Sequence, residues 1–146
     1  MTDMPPVPDR MLKFIRKHHL LSLATVSQAK PWCFSCFYAY SETENLFIFT
    51  TDMHTRHAQN FADCKLVSGT IALETKLIGM IQGIQLSGEV FLPEGELLDK
   101  VRLSYLKKFP FAILAQTPLW AVKPDYMKMT DNKLGFGKKL HWPAQP

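Results

Sequence analysis

Cysteine is nearly missing from this chain of 146 residues, which holds only Cys33, Cys36 and Cys64. An odd set of thiols does not suggest a disulfide framework, and a chain of this length buries about 70% of its unfolded surface without staples. Glycine is sparse as well, at seven residues with no period, which excludes collagen-like structure. Long apolar runs are missing too. Stretches such as Trp32 to Tyr40 fall far short of the roughly 20 residues of a membrane-spanning helix. The first residues carry Asp3 and three prolines by position 8 rather than a basic-then-apolar leader, so no secretion signal is expected. The expected compartment is a reducing cytoplasm. Repeats, low-complexity tracts and the βαβ alternation of a doubly wound sheet do not occur.

What remains is 47% hydrophobic and 21% charged, the composition of one globular domain over residues 1–146. The net charge of +4 is divided unevenly along the chain. Residues 1–99 hold 8 Lys/Arg against 11 Asp/Glu, a balance of −3, and residues 100–146 hold 9 against 2, a balance of +7. The basic last third suits a phosphorylated ligand, nucleic acid or the acidic face of a second subunit, and charge alone does not choose among them.

Met11, Phe14, Ile15 and His18 recur at helical spacing, which predicts a first helix near 9–18 with Asp9 as its cap. Leu20 to Val26 and Trp32 to Tyr40 are rich in β-branched and aromatic residues, with a turn from Ser27 to Pro31, so they read as a hairpin. Leu46 to Thr51 is a third strand, and Asp52 to Phe61 turns helical. Lys65 to Leu73 and Met80 to Phe91 are two more strands, with Gly83 and Gly88 marking bulges or close backbone approach. From Pro93 a helix follows, acidic at its start and basic at Lys107 and Lys108, as the helix dipole favours. Leu119 to Val122 and Tyr126 to Thr130 read as closing strands. The fold class is therefore α+β, an antiparallel barrel of six to seven strands with three to four short helices.

The segment with most chemical content runs from Phe49 to Ala58, where a strand ends and a helix starts. Unpaired N–H groups at a helix start, the hydroxyls of Thr51 and Thr55, and the guanidinium of Arg56 form a grip for phosphate. Ordinary capping by Asp52 and Thr55 with a solvated Arg56 explains the same residues. Cys33-x-x-Cys36 and His54-x-x-His57 raise zinc or dithiol chemistry, but residues three apart on a strand face opposite ways. The Gly-rich run from Asp131 to Lys139 lacks the glycine spacing and the Ser/Thr of a phosphate-binding P-loop. No finger, helix-turn-helix or RNP-like pattern accompanies the basic end, and nucleic acid is not expected as a partner. The first helix is too short and its apolar stripe too ordinary for a membrane surface.

Read from Phe47, the run Phe-x-Phe-Thr-Thr-Asp-Met-His-Thr-Arg-His-Ala resembles the phosphate-binding segment of the FMN-binding split barrels, the pyridoxamine 5′-phosphate oxidase-like superfamily. Thr51, Thr55 and Arg56 fall on that family's Thr, Ser and Arg, and His57 falls where it commonly has Lys. Thr55 to Gln59, Ile81 to Gly88 and Thr130 to Lys139 are similar to the YhbP-type proteins, a bacterial branch of the same superfamily. The resemblance covers nearly the whole chain. It implies a homodimer with FMN at the subunit interface and oxidoreductase chemistry on a small molecule. The second strand, Trp32 to Phe37, would lie along the FMN ring, with Phe34, Ser35 and Cys36 in contact, and Thr51, Thr55, Arg56 and His57 would meet the phosphate. Gln82 stands at the start of the strand where the oxidases carry an Arg-Gln pair, here Gln82-Gly83, and Lys138 of the terminal arm is placed to reach an anion. The C-terminal Arg/His pattern of the true oxidases is incomplete, so vitamin B6 oxidation is not expected. The alternative is a split-barrel carrier or sensor without flavin chemistry.

Overall fold

A computed structural model describes residues 3–114 and 116–144. Eight strands form one antiparallel sheet: β1 (Leu20–Ser27), β2 (Lys30–Phe37), β3 (Ala39–Ser41), β4 (Leu46–Thr50), β5 (Leu66–Ala72), β6 (Gln82–Phe91), β7 (Leu119–Asp131) and β8 (Lys139–Trp142). Their order is β2-β1-β5-β6-β7-β4-β3, with β8 on a second stretch of β7. The sheet curls into a split barrel whose end strands β2 and β3 leave it open. Among the described residues, three α-helices complete it: α1 (Asp9–Lys17), α2 (Arg56–Asp63) and α3 (Gly95–Lys108).

The expected α+β barrel is thus present, with one strand more than expected and several boundaries moved. Trp32 to Tyr40 is two strands, broken at Tyr38, whose buried hydroxyl donates to Ile15 O at 2.7 Å. The two closing strands are one strand of 13 residues, β7, because a bulge opposite Ser87 and Gly88 absorbs Asp125 without ending the ladder, and Pro124 stays opposite Gly88. Asp9 is not a cap: it is the first helical residue, and Pro8 precedes it without a side-chain bond.

Alternation decides what lies inside. β5 buries Val67, Gly69 and Ile71 and exposes the residues between them. Met11, Phe14 and Ile15 of α1 and Phe61 of α2 join Leu21, Leu23, Phe47, Phe49, Ile84, Met127 and Trp142 in the barrel core. A second, smaller core lies outside the barrel, where Val101 and Tyr105 of α3 cover Ala39, Ile48 and Ala121. The C-terminal arm is divided between these roles. Leu140 and Trp142 pack against the chain's own core as part of β8, whereas Leu134 and Phe136 stay exposed.

Where β7 ends, Asp131 is buried and ion-paired to Arg10 of α1 at 2.8 Å. Burial works to raise its pKa, but hydrogen bonds from Arg10, Gln82 and the Lys133 amide outweigh that and hold the carboxyl below its usual range. A lowered folded-state pKa contributes stability that is present above the ordinary carboxylate range and is lost as pH falls through the folded value. Asp131→Asn is therefore expected to cost about 1 kcal/mol at pH 7, a modest figure because Arg10 stays half exposed. Urea unfolding at pH 7 and at pH 3 checks it: the gap between variant and wild type should narrow in acid.

Candidate functional site

The site is built where β4 runs out into α2. Thr50 ends the strand, and Thr51 is buried beside Pro118 and Trp120, its amide donating to Pro118 O at 3.3 Å and its carbonyl accepting from Trp120 Nε1 at 3.3 Å. Thr55, not Asp52, is the N-cap of α2. Its Oγ1 accepts from the Ala58 amide at 3.2 Å and donates to Asp52 O at 2.9 Å. The Asp52 carboxylate instead closes the preceding turn by accepting from the His54 amide at 3.0 Å. Among the described residues, the amides of Arg56 and His57 have no acceptor, so the first turn of α2 presents two free N–H groups.

His57 turns back over this opening. Its Nε2 lies 2.5 Å from Thr51 Oγ1, and its ring stacks flat on Phe34 of β2, 3.6 Å between centroids and 7° between planes. Burial lowers the His57 pKa, so the imidazole is neutral at physiological pH and brings hydrogen bonding rather than charge. Arg56 is the one full cation of the segment. Its guanidinium lies 4.1 Å above the Trp32 ring, exposed and held by a cation–π contact. Helix α2 is anchored from behind by Asn60, whose Nδ2 donates to the buried Thr25 hydroxyl of β1 at 2.9 Å. Sequence reasoning passed over Asn60 and Trp120, and placed Trp32 along a flavin ring rather than beneath Arg56. Only Asn60 left a trace, a polar residue on the apolar face of α2 between Ala58 and Phe61.

Strand β2 supplies the adjoining wall. It is an edge strand, so alternate backbone N–H and C=O groups face away from β1. Its side chains alternate as expected. Phe34 and Cys36 point inward, and Ser35 points out, where its hydroxyl meets Ser22 Oγ at 2.8 Å. Cys33 is exposed on the outer face, while burial pushes the Cys36 thiol up to about 12. The two thiols do not converge, and among the described residues no group of three His, Cys, Asp or Glu stands close enough to hold a metal.

The structure thus brings Phe34, Thr51, Thr55, Arg56 and His57 together. It does not bring Gln82 and Lys138 to them within one chain. Gln82 pairs with Asp131 at the far end of β7, whereas β4 joins the other end of that strand at Leu119 to Val122. The ends are twelve residues apart along β7, a contour of about 40 Å. Lys138 follows Asp131, whose amide donates to Lys138 O at 3.1 Å.

Solved structures with this architecture include a heme-binding protein from Mycobacterium smegmatis, with a TM-score of 0.75, 16% identity and coverage of 92% of this chain and 58% of that one. The heme storage protein HutZ from Vibrio cholerae gives 0.68 at 17% identity over 83% and 92% of the two chains. A FAD-binding protein from Mesorhizobium loti gives 0.68 at 10% identity over 84% and 94%. At these identities the likeness establishes the split-barrel fold alone. No family model matches the chain. Its sequence is 40% identical over 138 residues to a UPF0306 protein of Yersinia pestis, covering 92% of this chain and 94% of that one, and 41% identical over 130 residues to one from Photorhabdus laumondii. With relatives this similar along nearly their whole length, the chain belongs to the UPF0306 family.

Proposed function

We propose that the protein is a homodimeric flavoprotein that grips FMN by its phosphate at the start of α2 and serves as an oxidoreductase for a small molecule. The observation that carries this reading is what gathers at one opening: the free amides of Arg56 and His57, the Thr51 hydroxyl held beside His57 Nε2, and the exposed guanidinium of Arg56, with the Thr55 hydroxyl spent on the helix cap. Anions are favoured at such a helix start by aligned N–H groups and by the helix dipole. The donor set fits a phosphate ester, and the unpaired edge of β2 beside it fits the polar rim of a planar ring. FMN, when bound, would supply the redox chemistry. The chain's own residues would hold and orient it: Arg56 leaving Trp32 to meet the phosphate, His57 keeping Thr51 in place, and Phe34 backing His57.

Gln82 and Lys138 would complete the site from a second copy, since they lie at the other end of the same subunit. The basic end with its exposed Leu134 and Phe136 and the acidic remainder of the chain suit such docking. The neighbour described as FAD-binding supports a flavin. The two heme proteins support the competing reading, a carrier without flavin chemistry.

Fluorescence titration of the full chain with FMN and with riboflavin tests the proposal. FMN should bind at least tenfold more tightly, and Arg56→Ala should weaken FMN by about 1.5 to 3 kcal/mol while leaving riboflavin unchanged. Equal affinity for both flavins would take the phosphate out of the argument. A Soret band on hemin addition, with no flavin binding, would move the assignment to the carrier.

A further inference from the structure

At the far end of the barrel from α2, helix α1 and the inner face of β6 and β7 enclose a cleft of about 510 Å³. Two basic segments more than a hundred residues apart in sequence meet there. Lys13 and Lys17 come from α1 and Lys133 from the turn after β7. Among the described residues, none of these three ammonium groups has an ion-pair partner. Lys13 and Lys17 stand four apart on one helix, a like-charge spacing that weakens a helix unless something else compensates. The carboxylates at the cleft are fewer than the cations. Asp131 is already neutralised by Arg10, which leaves Asp9 alone against three lysines. Phe14 and Met129, both buried, line the cleft with them, so the lysines border a hollow rather than a ridge.

We propose that this cleft binds a small, multiply charged phosphate compound, with Lys13, Lys17 and Lys133 as its counter-charges. A concave site lined by three lysines suits a compact diphosphate, because each lysine is a point charge able to meet a different oxygen. A nucleic acid backbone calls instead for a basic stripe on an open surface. The Arg10–Asp131 pair is a positioning element, fixing α1 to the end of β7 and so setting the width of the cleft. Gln82 lines the cleft as well, so in the dimer proposed above the cleft adjoins the flavin site, but its three lysines are not among the residues that hold FMN there and the inference rests on the geometry of one subunit.

The test is isothermal titration of the full chain with inorganic pyrophosphate at low and at physiological ionic strength. One equivalent should bind per chain, and Lys13→Glu with Lys17→Glu should weaken it at least tenfold. Both lysines are exposed, and circular dichroism verifies folding of the variant. Lys133→Gln, expected to weaken pyrophosphate about threefold, serves as the second variant. Binding that survives both variants, or that is lost in Arg56→Ala instead, would overturn the proposal. So would a mixed-sequence DNA duplex whose binding depends on Lys13 and Lys17 when pyrophosphate does not bind.

Discussion

Trp142→Ala is expected to lower the free energy of unfolding by about 3 to 5 kcal/mol, the cost of emptying the site of a large buried aromatic. Trp142 is only 2% exposed and sits opposite Met127 where β8 joins β7. Its indole Nε1–H also donates to Pro5 O at 2.7 Å, so the same side chain fills the core and ties down the segment that leads into α1. Trp142→Phe keeps most of the apolar contact and gives up that hydrogen bond, for which about 1 kcal/mol is expected. Phe136→Ala, at a site 81% exposed, should change stability by about 0.5 kcal/mol or less. Urea unfolding followed by far-ultraviolet circular dichroism ranks the three. A loss below about 1 kcal/mol in Trp142→Ala would mean that β8 adds little to the sheet. Because β8 belongs to the subunit's own core, deleting residues 131–146 removes a strand along with any docking arm. Point changes at Leu134 and Phe136 are the cleaner probe of a dimer.

Gly88→Ala is expected to cost about 3 kcal/mol, from backbone crowding rather than from any lost contact. A Cβ at Gly88 would stand 2.3 Å from Lys123 O, 2.9 Å from Lys123 C and 3.0 Å from Pro124 Cα. All three are backbone atoms at the bulge of β7, so β7 itself would have to move away from β6. Gly83→Ala, five residues earlier on the same strand, is the comparison. Its Cβ would meet Ile71 O at 3.2 Å, close enough to need a shift of a few tenths of an ångström, and about 1 kcal/mol or less is expected. Thermal unfolding of the two variants separates them, and equal melting temperatures would remove the backbone-clash argument.

The bulge also shows why one part of the fold was legible and another was not. The alternation of β5 and the charge-graded ends of α3 depend on neighbours a few residues apart, and they are read from the chain almost residue by residue. Gly88 announced a close approach in the same way. The continuity of β7 did not show, because Pro124 breaks the local pattern and the strand survives only through its register with β6. Tyr38 interrupts Trp32 to Tyr40 for a similar reason: its hydroxyl reaches Ile15 O, a partner 23 residues away.

The antiparallel α+β barrel, the existence of α2, the opposed directions of Cys33 and Cys36, and the gathering of Thr51, Thr55 and Arg56 where β4 gives way to a helix were legible in the sequence. Each follows from periodicity, capping chemistry or motif spacing, which act over one or two turns of chain. Tertiary structure alone decided that His57 is stacked on Phe34 and neutral, and that Arg56 rests on Trp32. It also decided that the terminal arm supplies a core strand, and that the lysines of α1 meet Lys133 around a cleft. These depend on which segments pair and which side chains lose water, and strand register and burial are properties of contacts between distant residues, which no local pattern encodes.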